Sequence, residues 1–464
     1  MNEMQPATSK FLRGNFAPVH DERDDDGLTV IGEIPAELDG WFVRNGPNPQ
    51  FHPLRTYHWF AGDGMLHAVE LRDGRARYRN RFVRTEGWLR EHEAGRALWS
   101  GDLGMPDFEN PNGPTRGNTA NTALVHHHGK LLALWEAGFP HEISLPTLET
   151  VGLSTFGGKL DFQCTAHPRV DPTTGELCFF GYDMIAPPHL RYGEVSREGA
   201  LSLVREVPLP HGTMIHDFVI TKNFAVIPVF PFAFEVERAM AGDNPFVFRE
   251  QAPTRFAVLR RGDATAPVQW LEGPSCFVFH YANAYEQQGT IVIDGCRMPK
   301  ASIDFEEGTV QANAGRLHRW VLDLAKGSVR EATFDEAHCD FPRIHDGKTG
   351  EKARYVYAAR VGREAPLGDS DQFSDGWIKY DLEAGHGVAH AHGTDVFGGE
   401  GVFVAREGGA SEDDGWIVGF VHDRRENRSE LRILDARSMD RTPVARVLLE
   451  RRVPYGFHGT WVPR

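Results

Sequence analysis

The sequence predicts an all-β protein, and three observations carry that expectation. Glycine (49) and proline (29) are frequent among its 464 residues, a mixture that favours many short strands closed by turns. Paired β-rich runs around turn signals recur from about residue 28 to the last residue, with no linker or low-complexity break between them. Long amphipathic helical patterns are absent.

In chain order, residues 1–27 lack the basic start and apolar run of a signal peptide and are expected to form an extended, solvated arm. Beyond it, VELRDGRARYRN, VDPTTGELCFFGYD, VLDLAKGSVREATF and IKYDLEAGHGVAHAH each read as a hairpin. HHHGKLLALWE and TKNFAVIPVF read as further entries from a turn into a strand. So long a series must cover its sheet edges, which a propeller of four-stranded blades does by closing radially on itself. Residues 28–464 are therefore expected to form one propeller, with a pair of β-sandwiches as the alternative; the repeats are too degenerate to fix a blade number.

Charge and cysteines narrow the function class. A formal charge of -15 with no Lys/Arg block argues against a nucleic-acid partner. Five cysteines, Cys164, Cys178, Cys276, Cys296 and Cys339, are odd in number and form no CxxC pair. They imply neither a disulfide framework nor a zinc knuckle, and a reducing cytoplasm is the expected setting. The longest apolar run, FAVIPVFPFAF (224–234), holds two prolines and is about half the roughly 20 residues that a spanning helix needs.

Of 22 histidines, His126, His127 and His128 before Gly129 read as a hairpin turn. Four others lie in or beside apolar, strand-like segments: CTAHPRV (His167), TMIHDFVI (His216), CFVFHYANAY (His280) and PYGFHGTWV (His458). Singly, such a histidine is more often a hydrogen-bonded core residue than a ligand. Together, 49, 64 and 178 residues apart, they can share a metal only if separate elements converge, as the inner strands of a propeller do on its axis. Neutral imidazoles suit Fe, Zn, Cu or Ni, so residue type does not name the metal. Four around zinc would tend to close a tetrahedral site, whereas Fe(II) would keep positions for O2 and substrate. Ligand imidazoles usually donate their second N–H to an acid or carbonyl. Glu136, Asp340 and Glu400 are acids flanked by apolar residues and are candidates for that role, with an ordinary surface acid as the alternative for each.

At this point the residues resemble those of the carotenoid cleavage oxygenases, non-haem iron enzymes built as seven-bladed propellers. ELDGWFVRNGPNPQF, HWFAGDGMLHAV, LLALWEAGFPHEISLPTLETVG, TAHPRVDPTTGEL, MIHDFVIT, FHYANAYE, DFPRI and GFHGTWVP stand in the family's order along nearly the whole chain. The resemblance implies that His167, His216, His280 and His458 ligate one Fe2+, that O2 is the co-substrate, and that Glu136 and Glu400 hold two of the imidazoles. Asp340 stands where the family usually has Glu; its shorter arm must sit closer, bridge through water, or hold its histidine less firmly. Gly401 stands where proline is usual and is expected to loosen the segment presenting Glu400.

The resemblance also bears on substrate. The stilbene-cleaving branch has a lysine before the first of these glutamates and a tyrosine that polarises a phenol. Here the first position is Trp135, and no tyrosine lies between Tyr78 and Tyr182. An apolar polyene is therefore the expected substrate, a stilbene-type alkene the alternative, and a catalytically silent binding propeller a third reading. LLALWEAG is similar to bacterial apocarotenoid 15,15'-oxygenases, which implies central cleavage to retinal. Trp135, Phe279 and Phe341 are expected to line an apolar tunnel, and Thr122 resembles a threonine that crowds one iron position. Phe230, Phe232, Phe234 and Phe246 are expected to form an exposed patch that dips into a membrane from the cytoplasmic side, with blade core as the alternative. No obligate protein partner is evident.

Overall fold

Turn residues and alternation build the hairpins. In the computed structural model, which describes residues 9–101, 107, 109–241, 243–301, 315–361, 373–439 and 442–464, Asp73 and Gly74 adopt φ of +50° and +69°. They close strands Gly64–Arg72 and Arg75–Phe82. His128 and Gly129, at +50° and +69°, close Ala123–His127 and Lys130–Leu134, so of the histidine run only His128 is in the turn, while His126 and His127 end the first strand. The four hairpins read from sequence all form, and the described helices are short: the longest, Glu86–Ala94, has 9 residues.

These hairpins assemble into consecutive antiparallel sheets. Four-stranded sheets cover Ala123–Leu153, Arg169–Glu206 and Val219–Gly273 in turn. A seven-stranded sheet follows from Phe277 to Ala391, bent at the 16-residue strand Ser328–Arg343. One end of that strand pairs with Arg316–Asp323, the other with Tyr355–Arg360. The last sheet, within 396–448, takes Thr29–Gly32 from the opposite end of the chain onto its edge.

The same exchange happens again at the final strand. Gly459–Pro463 pairs antiparallel with Gly40–Pro47, Arg44 facing Gly459, and so joins the first large sheet. The ends are thus stitched twice, which removes the open edges a linear series would leave. Apolar side chains fill the spaces between neighbouring sheets. Phe42, Val69 and Tyr78 of the first meet Trp416, Val418 and Leu431 of the last, all essentially inaccessible to water. Each such side chain contributes on the order of 1.5–3 kcal/mol by leaving water.

Two expectations need correction. Residues 9–27 are not a solvated arm: Phe11 and Phe16 are buried against Trp59, and Arg23–Asp25 pairs with Arg75–Phe82. Nor are the four phenylalanines an exposed patch. Strand Phe232–Phe234 pairs with Phe246–Phe248, and this hairpin lies over Phe277. Phe230 and Phe232 are buried there, while Phe234 and Phe246 are half-buried. Apolar alternation announces a buried face but not whether protein or lipid covers it, and here protein does. No described helix is long and apolar enough to cross a membrane.

Candidate metal centre

Each of the four histidines lies in, or within three residues of, a strand that ends its sheet. His167 and His216 precede Arg169–Val170 and Val219–Ile220, His280 is within Phe277–Gln287, and His458 directly precedes Gly459–Pro463. Those strand ends meet at one point. Ring centroids are separated by 4.6 Å (His167–His216), 5.1 Å (His167–His280), 4.6 Å (His167–His458), 5.2 Å (His216–His280) and 4.7 Å (His280–His458). The Nε2 atoms of His167 and His216 are 3.0 Å apart. One ligand atom from each of His167, His216 and His280 lies within 4.8 Å of the others, a spacing that can hold a metal ion.

Carboxylates set the direction of three rings. His216 donates from Nδ1 to Glu136, His280 donates to Asp340 Oδ1 at 2.9 Å, and His458 donates to Glu400 Oε1 at 3.1 Å. A proton held on Nδ1 leaves the lone pair on Nε2, facing the centre. His280 Nε2 is buried without a hydrogen-bond partner among the described residues, as expected of an atom whose partner is a cation.

Asp340 resolves the question raised by its short arm. Phe341, next in the chain, adopts φ of +53°, and the strand's register with Tyr355–Arg360 shifts between Asp340 and Arg343. Bend and carboxylate form one unit, because Asp340 Oδ1 also accepts from the Phe341 amide at 2.8 Å. The acid bonds its histidine directly, without a bridging water. Gly401 also departs from expectation. A Cβ there would lie 2.7 Å from Ile417 and 3.0 Å from Trp377, and the Trp377 indole donates to Gly399 O at 2.9 Å, so close packing holds this segment.

Other supports escaped the sequence reading. Asp217, beside His216 and buried, accepts from the amides of Phe218 (2.7 Å) and Tyr281 (2.8 Å) and pairs with Arg169 (2.7 Å). Because Arg169, Asp217 and Tyr281 each follow a histidine by one or two residues, this one carboxylate ties three of the converging segments together. Tyr182 donates its hydroxyl to Glu136, and Arg343 lies 3.6 Å from Glu400. Polar residues flanking the histidine segments were the only signal for these, and sequence does not say which of them meet.

Burial and neighbours tune the groups in opposite directions. Burial, reinforced by the other imidazoles, pushes His167 well below its ordinary value, so its ring stays neutral. Burial also lowers His458, against the pull of Glu400. For His216 burial opposes protonation, but Glu136 outweighs it and the pKa rises. Burial would raise Glu400; Arg343 and His458 outweigh it and hold the acid below the ordinary carboxylate range.

Aromatic rings wall the centre. Phe279 meets His216 edge-on at 5.2 Å, and Phe341 stacks on His280 at 4.8 Å and lies 5.2 Å from His458. Trp59, Phe373 and Phe457, not foreseen, extend this wall, with Phe373 5.7 Å from Phe341. Trp135 makes no ring contact with the four imidazoles among the described residues. Thr122 accepts at its carbonyl from the His458 amide (3.2 Å), and its hydroxyl donates to Asn121 Oδ1 (2.9 Å). The arrangement is a cluster of four imidazoles, three of them oriented by acids, enclosed by aromatic rings.

Sheets closing around a histidine cluster with acids behind it form a site that could hold a metal ion, and comparison with known proteins specifies the family. The family model described as RPE65, retinal pigment epithelial membrane protein, matches residues 16–463. A carotenoid 9,10(9',10')-cleavage dioxygenase of Phaseolus vulgaris is 36% identical, covering 97% of this chain and 89% of that protein. Among solved structures, lignostilbene dioxygenase of Pseudomonas brassicacearum superposes with a TM-score of 0.91 at 30% identity, covering 100% of both chains. Cobalt-substituted apocarotenoid oxygenase of Synechocystis superposes with a TM-score of 0.84 at 28% identity, covering 96% of this chain and 97% of that one. The chain belongs to the RPE65/carotenoid cleavage oxygenase family, a group of oxygen-incorporating oxidoreductases, and shares its β-propeller fold.

Proposed function

We propose that His167, His216, His280 and His458 hold one Fe(II), and that the chain uses it with O2 to cleave a C=C bond of an apolar, carotenoid-type polyene. The observation behind this reading is the convergence of four imidazoles, three backed by acids, with His280 Nε2 buried and unpaired. Reading the seven-stranded sheet as two blades that share Ser328–Arg343 gives seven blades in one catalytic unit, the first of them edged by Arg23–Asp25.

The bound iron would supply a redox-competent site for O2 beside the alkene. The chain's residues do the rest. Glu136, Asp340 and Glu400 keep a proton on Nδ1 of their histidines and fix each ring's angle. Arg343 balances the buried charge of Glu400. Phe279 and Phe341 exclude water and offer the polyene apolar surface, and Thr122 crowds one side of the centre.

For the bond cut, LLALWEAG favours the 15,15' position, giving retinal. A second reading, cleavage at 9,10(9',10'), is supported by the 36% identity to enzymes so named, against 28% for the apocarotenoid oxygenase. A stilbene substrate is disfavoured because Trp135 replaces the phenol-gripping lysine and the Tyr182 hydroxyl is engaged by Glu136. Chromatography of products from iron-loaded protein with apocarotenals, a carotene and a hydroxystilbene separates the readings. Retinal supports the first, and an unequal pair of carbonyl products from off-centre cutting of the carotene supports the second; turnover of the hydroxystilbene alone would overturn the polyene proposal.

A further inference from the structure

Among the described residues, buried guanidinium groups have carboxylate or carbonyl partners. Arg169 pairs with Asp217, Arg261 with Asp171, Arg319 with Asp294 and Arg432 with Glu430, while Arg205 donates to the carbonyls of Asp263 and Ala266. Arg44 is the exception. It is 7% exposed, its Nε is buried without a partner, and among the described residues it has no ion pair and no hydrogen bond. Its guanidinium carbon lies over the Phe420 ring at 5.8 Å, a weak partner that leaves a buried cation largely uncompensated and strongly unfavourable. Burial lowers its pKa to about 10, which leaves it charged at neutral pH.

Its surroundings add positive charge. Arg452, likewise lowered to about 10 by burial, donates to the carbonyl of Ala17 at 2.7 Å and reaches Asn15 Oδ1 at 3.5 Å. Arg44 and Arg452 together depress His67, after burial itself. The Arg44 guanidinium lines a cavity of about 20 Å³ whose polar walls include Asn15, His422, Ser429 and Tyr455. Glu400 also borders it, but its oxygens are engaged by His458, by the Gly459 amide at 2.7 Å and by nearby Arg343. A cavity of that size holds about one water-sized particle.

We propose that this cavity is a binding site for a small monovalent anion of the size of chloride, held by the Arg44 guanidinium. Chloride is close to a water molecule in size and so suits that space. Gly456 and Phe457 wall the same cavity, and a Cβ on Gly456 would fall 2.2 Å from Arg44 Nη1. The backbone therefore lies flat against the guanidinium two residues before His458, and the anion anchors the segment that presents that histidine. The site does not depend on the iron reading.

Crystals of the full chain soaked in sodium bromide test this directly. A bromine anomalous peak against Arg44 is expected; a cavity holding only water would overturn the proposal. In solution, the melting temperature should rise and level off with sodium chloride when sodium gluconate keeps the ionic strength constant, and Arg44→Met should abolish that dependence. A chloride response retained by Arg44→Met, or absent from the unaltered protein, would contradict it. If Arg44→Met does not fold, Arg44→Lys, which keeps the charge, and the bromide map still decide.

Discussion

His458 and His280 are both held through Nδ1 by a carboxylate, yet the two acids are delivered in different ways. Glu400 reaches from a glycine-flanked loop pinned by the Trp377 indole, and its oxygens are shared among His458, Gly459 and Arg343. Asp340 sits on a strand, bent by a left-handed phenylalanine, and among the described residues serves only His280 and its own neighbouring amide. The first corner spends a longer side chain and a counter-ion; the second spends backbone strain, of order 1–3 kcal/mol. Side-chain length at such a site is thus set by how far the backbone comes forward to meet the histidine.

Removing the histidines themselves should have the largest effect. His216→Ala and His280→Ala should each lose bound iron and all detectable cleavage, with metal content measured by plasma emission; full iron occupancy in either variant would break the comparison at its root. Next come the acids. Glu400→Gln should lower metal affinity by roughly 10–100-fold, and also lower the melting temperature, because Arg343 loses its buried counter-ion. Asp340→Asn should weaken metal binding in the same range with a smaller change in melting, since no buried cation depends on it. Equal melting losses in the two variants would show that the corners do not differ as described.

Asp340→Glu sharpens the point further. The bend at Phe341 is set for the shorter acid, so restoring the longer one should reduce turnover by a few-fold rather than improve it. Kinetics as good as, or better than, those of the unaltered protein would mean that the bend does not compensate for length.

A further expected effect, on stability alone, lies outside both corners. Burial pushes His67 and His392 well below 6.5, and His141 to about 4, so the folded protein keeps them neutral while the unfolded chain protonates them. Their contribution is therefore complete above pH 6.5 and is lost as pH falls from there through the folded-state values, at roughly 1.4 kcal/mol per unit for each. Urea denaturation at pH 7.5, 6 and 5 should show stability falling in that order, and a flat profile would contradict this.

Much of the centre was legible because its chemistry is written in residue type. Four histidines in apolar segments and three acids with apolar neighbours are unusual enough to read, and the fold brings the four rings together with an acid bonded to three of them. The Asp217–Arg169 brace and Arg343 were not legible, because charged residues beside strands are ordinary and only folding shows which of them meet. Phe341 was read as a tunnel wall, yet its left-handed backbone was invisible, since phenylalanine carries no signal for that conformation. Phe230 and Phe232 were misread because alternation gives a face without naming what covers it. Phe11 and Phe16 were overlooked because a charged, turn-rich setting hid two aromatic anchors.

The central claim is that imidazoles from four separate segments share one iron. Diffraction data collected on either side of the iron absorption edge, from crystals of the iron-loaded protein, test it most directly. The account predicts a single anomalous peak bonded to His167, His216, His280 and His458. A peak bonded to fewer of these rings, or to Glu136, Asp340 or Glu400, would contradict it.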